Sequence, residues 1–250
     1  MNVVYIILGV IGIIIVYYLY VYFTSSVTTL ANIIDCSKGT TYVDGSKISS
    51  PSSSNFGYGL WIYINNWYTT SAAITNIYYR NGTSDTKNTI HVFLDSNSPK
   101  LYVQFSKSSE GNAYTKKSSA TSPDNLPILV TSNFPLQKWV YLFVSVDAGQ
   151  YVDVYLDGKM VKTAVLTNPT IPEGSATTTS GTTTTAIIPG LTIGPFAGYV
   201  TTFQSFGYAV DPQTVWNYYM RGNGTALGTN YGVSMSVLKN EEESSKYRIF

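Results

Sequence analysis

Cysteine occurs once in this chain, at Cys36, and histidine once, at His91. A single thiol excludes an intramolecular disulfide, so apolar burial must hold the core, which a chain of 250 residues can supply. Cys36 is open to pairing between chains or to acylation; the reading adopted is an inert free thiol near the membrane. With one histidine and one cysteine, neither a zinc cluster nor a strand-borne nucleophile with an imidazole base is expected, and His91 reads as an ordinary strand residue. Charge is scarce too. Asp, Glu, Lys and Arg make up 12% of the residues, about half the usual quarter, and the net charge is +1. Nucleic acid recognition demands a basic stripe, so nucleic acid is excluded as a partner. Glutamate is confined to Glu110, Glu173, Glu241, Glu242 and Glu243.

What is abundant is tyrosine, at 22 residues, with Ser, Thr and Asn. That is the profile of a β-rich protein outside the cytosol or on a particle. Residues 3–23, "VVYIILGVIGIIIVYYLYVYF", carry no charge and as a helix would span roughly 30 Å, the thickness of a hydrocarbon core. A cleaved signal has a shorter apolar region behind a basic start, and here the start is "MN" with no small-residue cleavage motif following. A retained transmembrane helix over residues 1–24 is expected, leaving the bilayer after Phe23, where Tyr17, Tyr18, Tyr20 and Tyr22 gather at headgroup level. Its orientation stays open because the first basic side chain is Lys38. Residues 25–55, rich in Ser and Thr and broken by Gly and Pro, read as a stalk with at most one strand, near Ile33.

Strand signals begin at "FGYGLWIYI", where Phe56, Tyr58, Leu60, Ile62 and Ile64 share one face and Trp61 and Tyr63 the other. Two apolar faces call for a central strand covered on both sides, or for a face that meets a partner. Residues 73–80, 89–95 and 101–105 follow, then three strands within 139–166, then 191–194 and 198–206. Alternation puts Ile90, Val92 and Leu94 together, and likewise Val152, Val154 and Leu156; Asp157-Gly158 supplies a tight hairpin. The fold class is all-β, an antiparallel sandwich over residues 56–222 with Trp139, Phe143, Val154, Leu156 and Phe203 mostly buried. One short helix is expected at "DPQTVWNYYMRG", with Asp211 as N-cap, Pro212 first, Val215, Trp216 and Tyr219 on one stripe and Gly222 as the stop, packed on an edge of the sandwich. The Thr-rich tract at 173–186 reads as an exposed mobile loop and 223–250 as a tail.

The order of "WVYLFVSVD" (139–147), "VDVYLDGK" (152–159), "LTIG" (191–194) and "FAGYVTTFQSFGYAVDPQTVWNYY" (from Phe196) resembles the concanavalin A-like lectin/glucanase or laminin-G fold. The resemblance covers about residues 56–222 and implies a jelly-roll sandwich. An N-terminal anchor before such a domain, with "PLQKWVYLFVSVD" in it, is similar to proteins of large DNA viruses of algae and protists, some of them virion components. Glucanases of this fold carry E-x-D-x-x-E on one strand, and no glutamate here sits in that pattern. Asp153 and Asp157 read as hairpin residues. The chain is therefore expected to be no enzyme. Members of the family often bind calcium, for which Asp95, Asp124 and Asp147 are the candidates, but aspartates at strand ends are more often turn formers and no metal or other cofactor is assigned.

The candidate interaction surface is Trp67 and Tyr68 with Asn65 and Asn66, together with Tyr78, Tyr79 and Arg80. Such residues suit either a glycan platform or a protein interface. Asn81 and Asn223 head two N-glycosylation sequons. The reading is a non-enzymatic, membrane-anchored structural protein, a minor capsid component linking an inner virion membrane to coat proteins; the alternative is a membrane-tethered, glycan-binding lectin-like module. Its partners would be lipid, capsid proteins and, in the alternative, glycans.

Overall fold

The computed structural model describes Gly9, residues 11–17, Leu19 and residues 26–66, 74–81, 88–95, 97–105, 127–167, 176–180, 183–224, 234–239 and 242–248. Among the described residues no helix is long and apolar enough to cross a membrane. The span expected over residues 3–23 lies largely outside them; those of its residues that are described are helical and exposed.

Two six-stranded antiparallel sheets form a sandwich. The first runs, in spatial order, β1 (Val27–Asp35), β14 (Gly198–Phe206), β3 (Phe56–Ile64), β8 (Trp139–Asp147), β9 (Tyr151–Leu156) and β10 (Lys159–Val165). The second runs β2 (Thr41–Val43), β13 (Leu191–Ile193), β4 (Ile74–Asn81), β5 (Asn88–Asp95), β6 (Leu101–Phe105) and β7 (Ile128–Thr131). The core between them follows from alternation. Phe56, Tyr58, Leu60, Ile62 and Ile64 of β3 share it with Val140, Leu142, Val144 and Val146 of β8 and with Ile90, Val92 and Leu94 of β5. Each such side chain contributes about 1.5–3 kcal/mol by leaving water. Tyr78 joins the layers, its ring 6.0 Å from Tyr58 and 5.1 Å from Phe203 of the opposite sheet. Of the expected core residues, Phe143, Val154 and Phe203 are buried, and Trp139 and Leu156 half-buried.

The apolar second face of β3 also finds its cover. Trp61, Tyr141, Phe143, Tyr155 and Phe206 form a second cluster with Val210 and Val215, roofed by α1 (Pro212–Met220). The helix starts where expected: the Asp211 carboxylate accepts from Thr214 N at 3.0 Å, Pro212 sits in the first turn, and Gly222 beyond its end has φ +77°. It lies on the face of the first sheet rather than on an edge, because Trp61, Tyr141 and Phe143 offer apolar area there. In the stripe, Val215 and Tyr219 pack inward with Tyr218, whereas Trp216 is 38% exposed.

The β9–β10 hairpin turns through Asp157 (φ 50°) and Gly158 (φ 75°), the two positive φ values of a tight hairpin. Gly158 is required twice over, since a Cβ there would also lie 2.8 Å from the Trp216 ring. Asp157 accepts from Tyr141 N at 2.9 Å and from Lys138 Nζ at 3.3 Å, tying the turn to the start of β8.

Three expected boundaries need correction. Residues 25–55 are not a stalk: β1 pairs with β14, from Val27↔Phe206 to Asp35↔Tyr199, and β2 pairs with β13, so this segment supplies an edge to each sheet. Its Leu30, Cys36, Val43 and Ile48 belong to the core, and the sandwich begins near residue 27 rather than 56. The Thr-rich tract forms a ribbon of β11 (Ala176–Ser180) and β12 (Thr183–Ile187), with Thr178↔Thr185 and Thr179↔Thr184 opposite each other; β-branched threonine favours this pleat. Within 223–250, β15 (Ser234–Lys239) and β16 (Glu242–Arg248) make a second ribbon where a tail was expected.

Candidate functional site

The structure divides the surface expected from sequence. Trp67 and Tyr68 lie outside the described residues, beyond the exposed pair Asn65 and Asn66. Tyr78 is fully buried between the sheets and Arg80 is 1% exposed, so neither belongs to an interaction surface. The reason is a register shift in β4 between Asn76 and Tyr78, which sends Ile77 and Tyr78 both inward. Arg80 is a clamp: its Nη2 donates to Pro51 O at 2.7 Å, its Nε to Pro189 O at 3.3 Å, and its Nη1 lies 3.5 Å from the Tyr58 hydroxyl. Of the expected set, Tyr79 alone reaches the outer face of the second sheet among the described residues, half-buried. Asn81 is the last residue of β4; Asn223 is half-buried, and its carbonyl accepts from Thr201 Oγ1 at 3.0 Å.

The calcium candidates are not brought together. Asp95 accepts from Asn97 N at 3.0 Å in a local turn, Asp147 is exposed at the end of β8, and Asp124 lies outside the described residues. No group of three potential metal ligands occurs among the described residues. Cys36 is fully buried in the sandwich core, and burial pushes its thiol up to about 12.

Pairing places a different set of side chains in one band. On the outer face of the second sheet the register aligns Tyr42, Thr192, Tyr79, His91 and Gln104 across β2, β13, β4, β5 and β6. The neighbouring row aligns Asn76, Phe93, Tyr102 and Leu129. Four rings make a continuous ridge: Tyr79 meets His91 edge-on at 5.6 Å, His91 lies 4.8 Å from Phe93, and Phe93 stacks on Tyr102 at 5.5 Å with 16° between planes. The His91 Nε2 is 2.8 Å from Asn76 Oδ1, and since that oxygen only accepts, Nε2 carries the proton. His91 is 2% exposed, and burial holds its pKa down to about 3, so the imidazole is neutral. The middle of the ridge is buried, while Tyr42 at its end is 56% exposed and Asn76, Tyr79 and Gln104 are half-buried along it. A ligand on this face would meet the Tyr42 and Tyr79 phenols, the Asn76 and Gln104 amides and Leu129, and no charge from these nine residues. Sequence reading missed the ridge. The signal was the second face of "TIHVFLD", where His91 and Phe93 alternate with Ile90, Val92 and Leu94.

Two antiparallel sheets, a tight "LDGK" hairpin and a helix after the last sandwich strand agree with a sequence-family match. The pattern described as the concanavalin A-like lectin/glucanases superfamily matches residues 37–216. The chain belongs to that superfamily. Its match begins at residue 37, inside the segment that had read as a stalk. No curated protein matches the chain. Similar solved structures include a sialidase of Trypanosoma rangeli, 13% identical with a TM-score of 0.45, covering 68% of this chain and 24% of that one. The binding domain of botulinum neurotoxin DC in complex with rat synaptotagmin II is 11% identical with a TM-score of 0.47, covering 73% of this chain and 39% of that one. Domain 4 of AbnA, an extracellular GH43 arabinanase from Geobacillus stearothermophilus, in complex with arabinotriose, is 15% identical with a TM-score of 0.45, covering 76% and 86%. The chain thus spans well under two thirds of the sialidase and toxin chains, and the likeness in all three is one of fold.

Proposed function

We propose that this chain is a membrane-anchored, non-enzymatic recognition protein: the apolar segment at residues 3–23 holds it to a bilayer, and the outer face of its second sheet takes a glycan. The observation that carries this reading is the band of Tyr42, Tyr79, Asn76 and Gln104, exposed or half-buried and held in place by the buried rings of His91, Phe93 and Tyr102 beneath. A sugar ring has an apolar face that stacks on aromatics and a rim of hydroxyls that needs amide and hydroxyl partners. Hydrolysis would require two carboxylates roughly 5–9.5 Å apart around the bond. Six of the seven described aspartates have other uses: Asp35, Asp44 and Asp95 accept from backbone N–H groups two residues on, Asp211 caps α1, Asp157 holds the hairpin and Asp153 accepts from Thr163 Oγ1, while Asp147 stands exposed at the end of β8. Support for the anchor comes from Ile13, Val16 and their helical neighbours, which expose apolar side chains that water would penalise.

The test is a glycan array probed with the full chain in detergent, beside Tyr79→Ala and Gln104→Ala. The expected outcome is binding to a defined glycan class, reduced at least ten-fold in both variants with the melting temperature held within a few degrees. No binding to any glycan, or binding indifferent to both substitutions, overturns the reading.

A second reading, contact with coat proteins in a virion that has an internal membrane, rests on another observation. Trp216, Met220, Met160 and Val161 are exposed around the Asp157–Gly158 turn, an apolar group suited to a protein partner. Cross-linking in purified particles tests it: a coat protein joined to this turn supports it, and failure to find the chain in particles removes it.

A further inference from the structure

The place where the chain enters the sandwich fixes more than the loss of a stalk. The apolar run ends at Phe23, and at Val27 the chain is already paired with Phe206. Ser26 is fixed as well, since its carbonyl accepts from Gly207 N at 2.9 Å. The three steps from Phe23 to Ser26 reach at most about 11 Å, so an anchored sandwich cannot stand away from its membrane.

Ser26 marks one end of the first sheet. In register, Val27 meets Phe206, Phe206 meets Gly57, and Gly57 meets Ser145, so four adjacent strands share that end. Its surface is made by residues 49–55 and by the turn at 147–150. Gly149 N donates to Ser54 O and Ala148 N to Asn55 Oδ1, each at 2.7 Å, and Ser50 lies against Gly207, the residue bonded to Ser26. Ser50, Ser52 and Ala148 are exposed. The segment "SSPSSSN" at 49–55 offers hydroxyls and an amide and no charged side chain. The other end, about 27 Å away along β3, carries Asn65, the turn at 97–100, Asn133 and the Asp157–Gly158 hairpin.

We propose that the end built from residues 49–55 and 147–150 lies against the lipid headgroups, and that the opposite end is the one the protein presents outward. This rests on the anchor reading above and goes beyond it. Asp147 is the one charged side chain in these two segments, and the surface fits a zwitterionic headgroup layer, with hydroxyls donating to phosphate and ester oxygens and the carboxylate facing the headgroup cation.

The experiment uses the full chain reconstituted into phosphatidylcholine vesicles, labelled with a fluorophore at S52C or at N133C, with a nitroxide quencher carried on the headgroup of a fraction of the lipids. Cys36 is buried and its thiol is held protonated, so the native cysteine stays unlabelled. Quenching at least two-fold greater at position 52 than at position 133 is expected. Equal quenching, or the reverse order, in vesicles that carry the protein overturns the orientation and leaves the anchor standing. A full chain that fails to float with vesicles removes the anchor and the orientation together.

Discussion

Trp61 of β3 and Tyr219 of α1 lie ring on ring, their centroids 5.4 Å apart and their planes 23° from parallel. This contact is what seats the helix on the sheet, and Trp61 also lies 5.3 Å from Tyr141. Tyr219→Ala removes one ring from a partly buried stack and should cost roughly 2–3 kcal/mol. Chemical denaturation would show it as a lower midpoint. A red shift in tryptophan emission, as Trp61 meets water, should accompany it; an unchanged spectrum and midpoint would contradict the packing.

A chain beginning at residue 56, where the strand signals first become clear, lacks both β1 and β2. It would bare the edge of β14 along seven paired positions and remove Leu30, Cys36, Val43 and Ile48 from the core. Such a chain should be insoluble or molten, while one beginning at Ser26 should unfold cooperatively. Comparing the two by circular dichroism and size exclusion is sufficient, and equal stability would mean that the first two strands are dispensable.

Arg80 ties three segments to one guanidinium, and its removal should leave the Pro51 and Pro189 carbonyls short of a donor. Arg80→Met is expected to lose about 2–4 kcal/mol. Arg80→Lys should recover little of it, because an ammonium cannot reproduce the planar fork. Urea midpoints for the three proteins would check this, with full rescue by lysine counting against the clamp.

His91 makes stability depend on pH. Its folded pKa is near 3 and its ordinary value near 6.5, so in that interval the unfolded chain binds the proton and the folded chain does not. The stabilisation is complete above about pH 6.5 and is lost as pH falls toward 3, by at most about 1.4 kcal/mol per pH unit from this group. Melting curves between pH 7 and 5 stay above the carboxylate range and isolate it. His91→Gln should flatten that slope, and a slope unaltered by the substitution would contradict a neutral buried imidazole.

The strands that sequence alone marked are those whose inner residues alternate without a break. β5 and β9 show period two, and β3 and β8 are apolar on both faces because a core lies on one side and α1 on the other. Edge strands left a weaker trace: β1 buries Leu30 among threonines, β2 buries Val43, and β7 buries Val130, each a short apolar signal within polar text. The helix was legible from its cap and stop. The site was legible only at Tyr79. The register shift after Asn76 turned Tyr78 inward against simple alternation, and His91 and Phe93 occupy the face that alternation assigns to solvent.

The pairing of β1 with β14 also sets an order in time. A ribosome releases residues 27–35 long before residues 199–206, so the first strand must wait for its partner while the strands between them are made. If residues 3–23 have by then entered a bilayer, the waiting strand is held within a few residues of the lipid surface, shielded from bulk encounters but unable to diffuse to a distant strand. Closure of the sandwich then occurs at the membrane, with β14 delivered to β1 rather than the reverse.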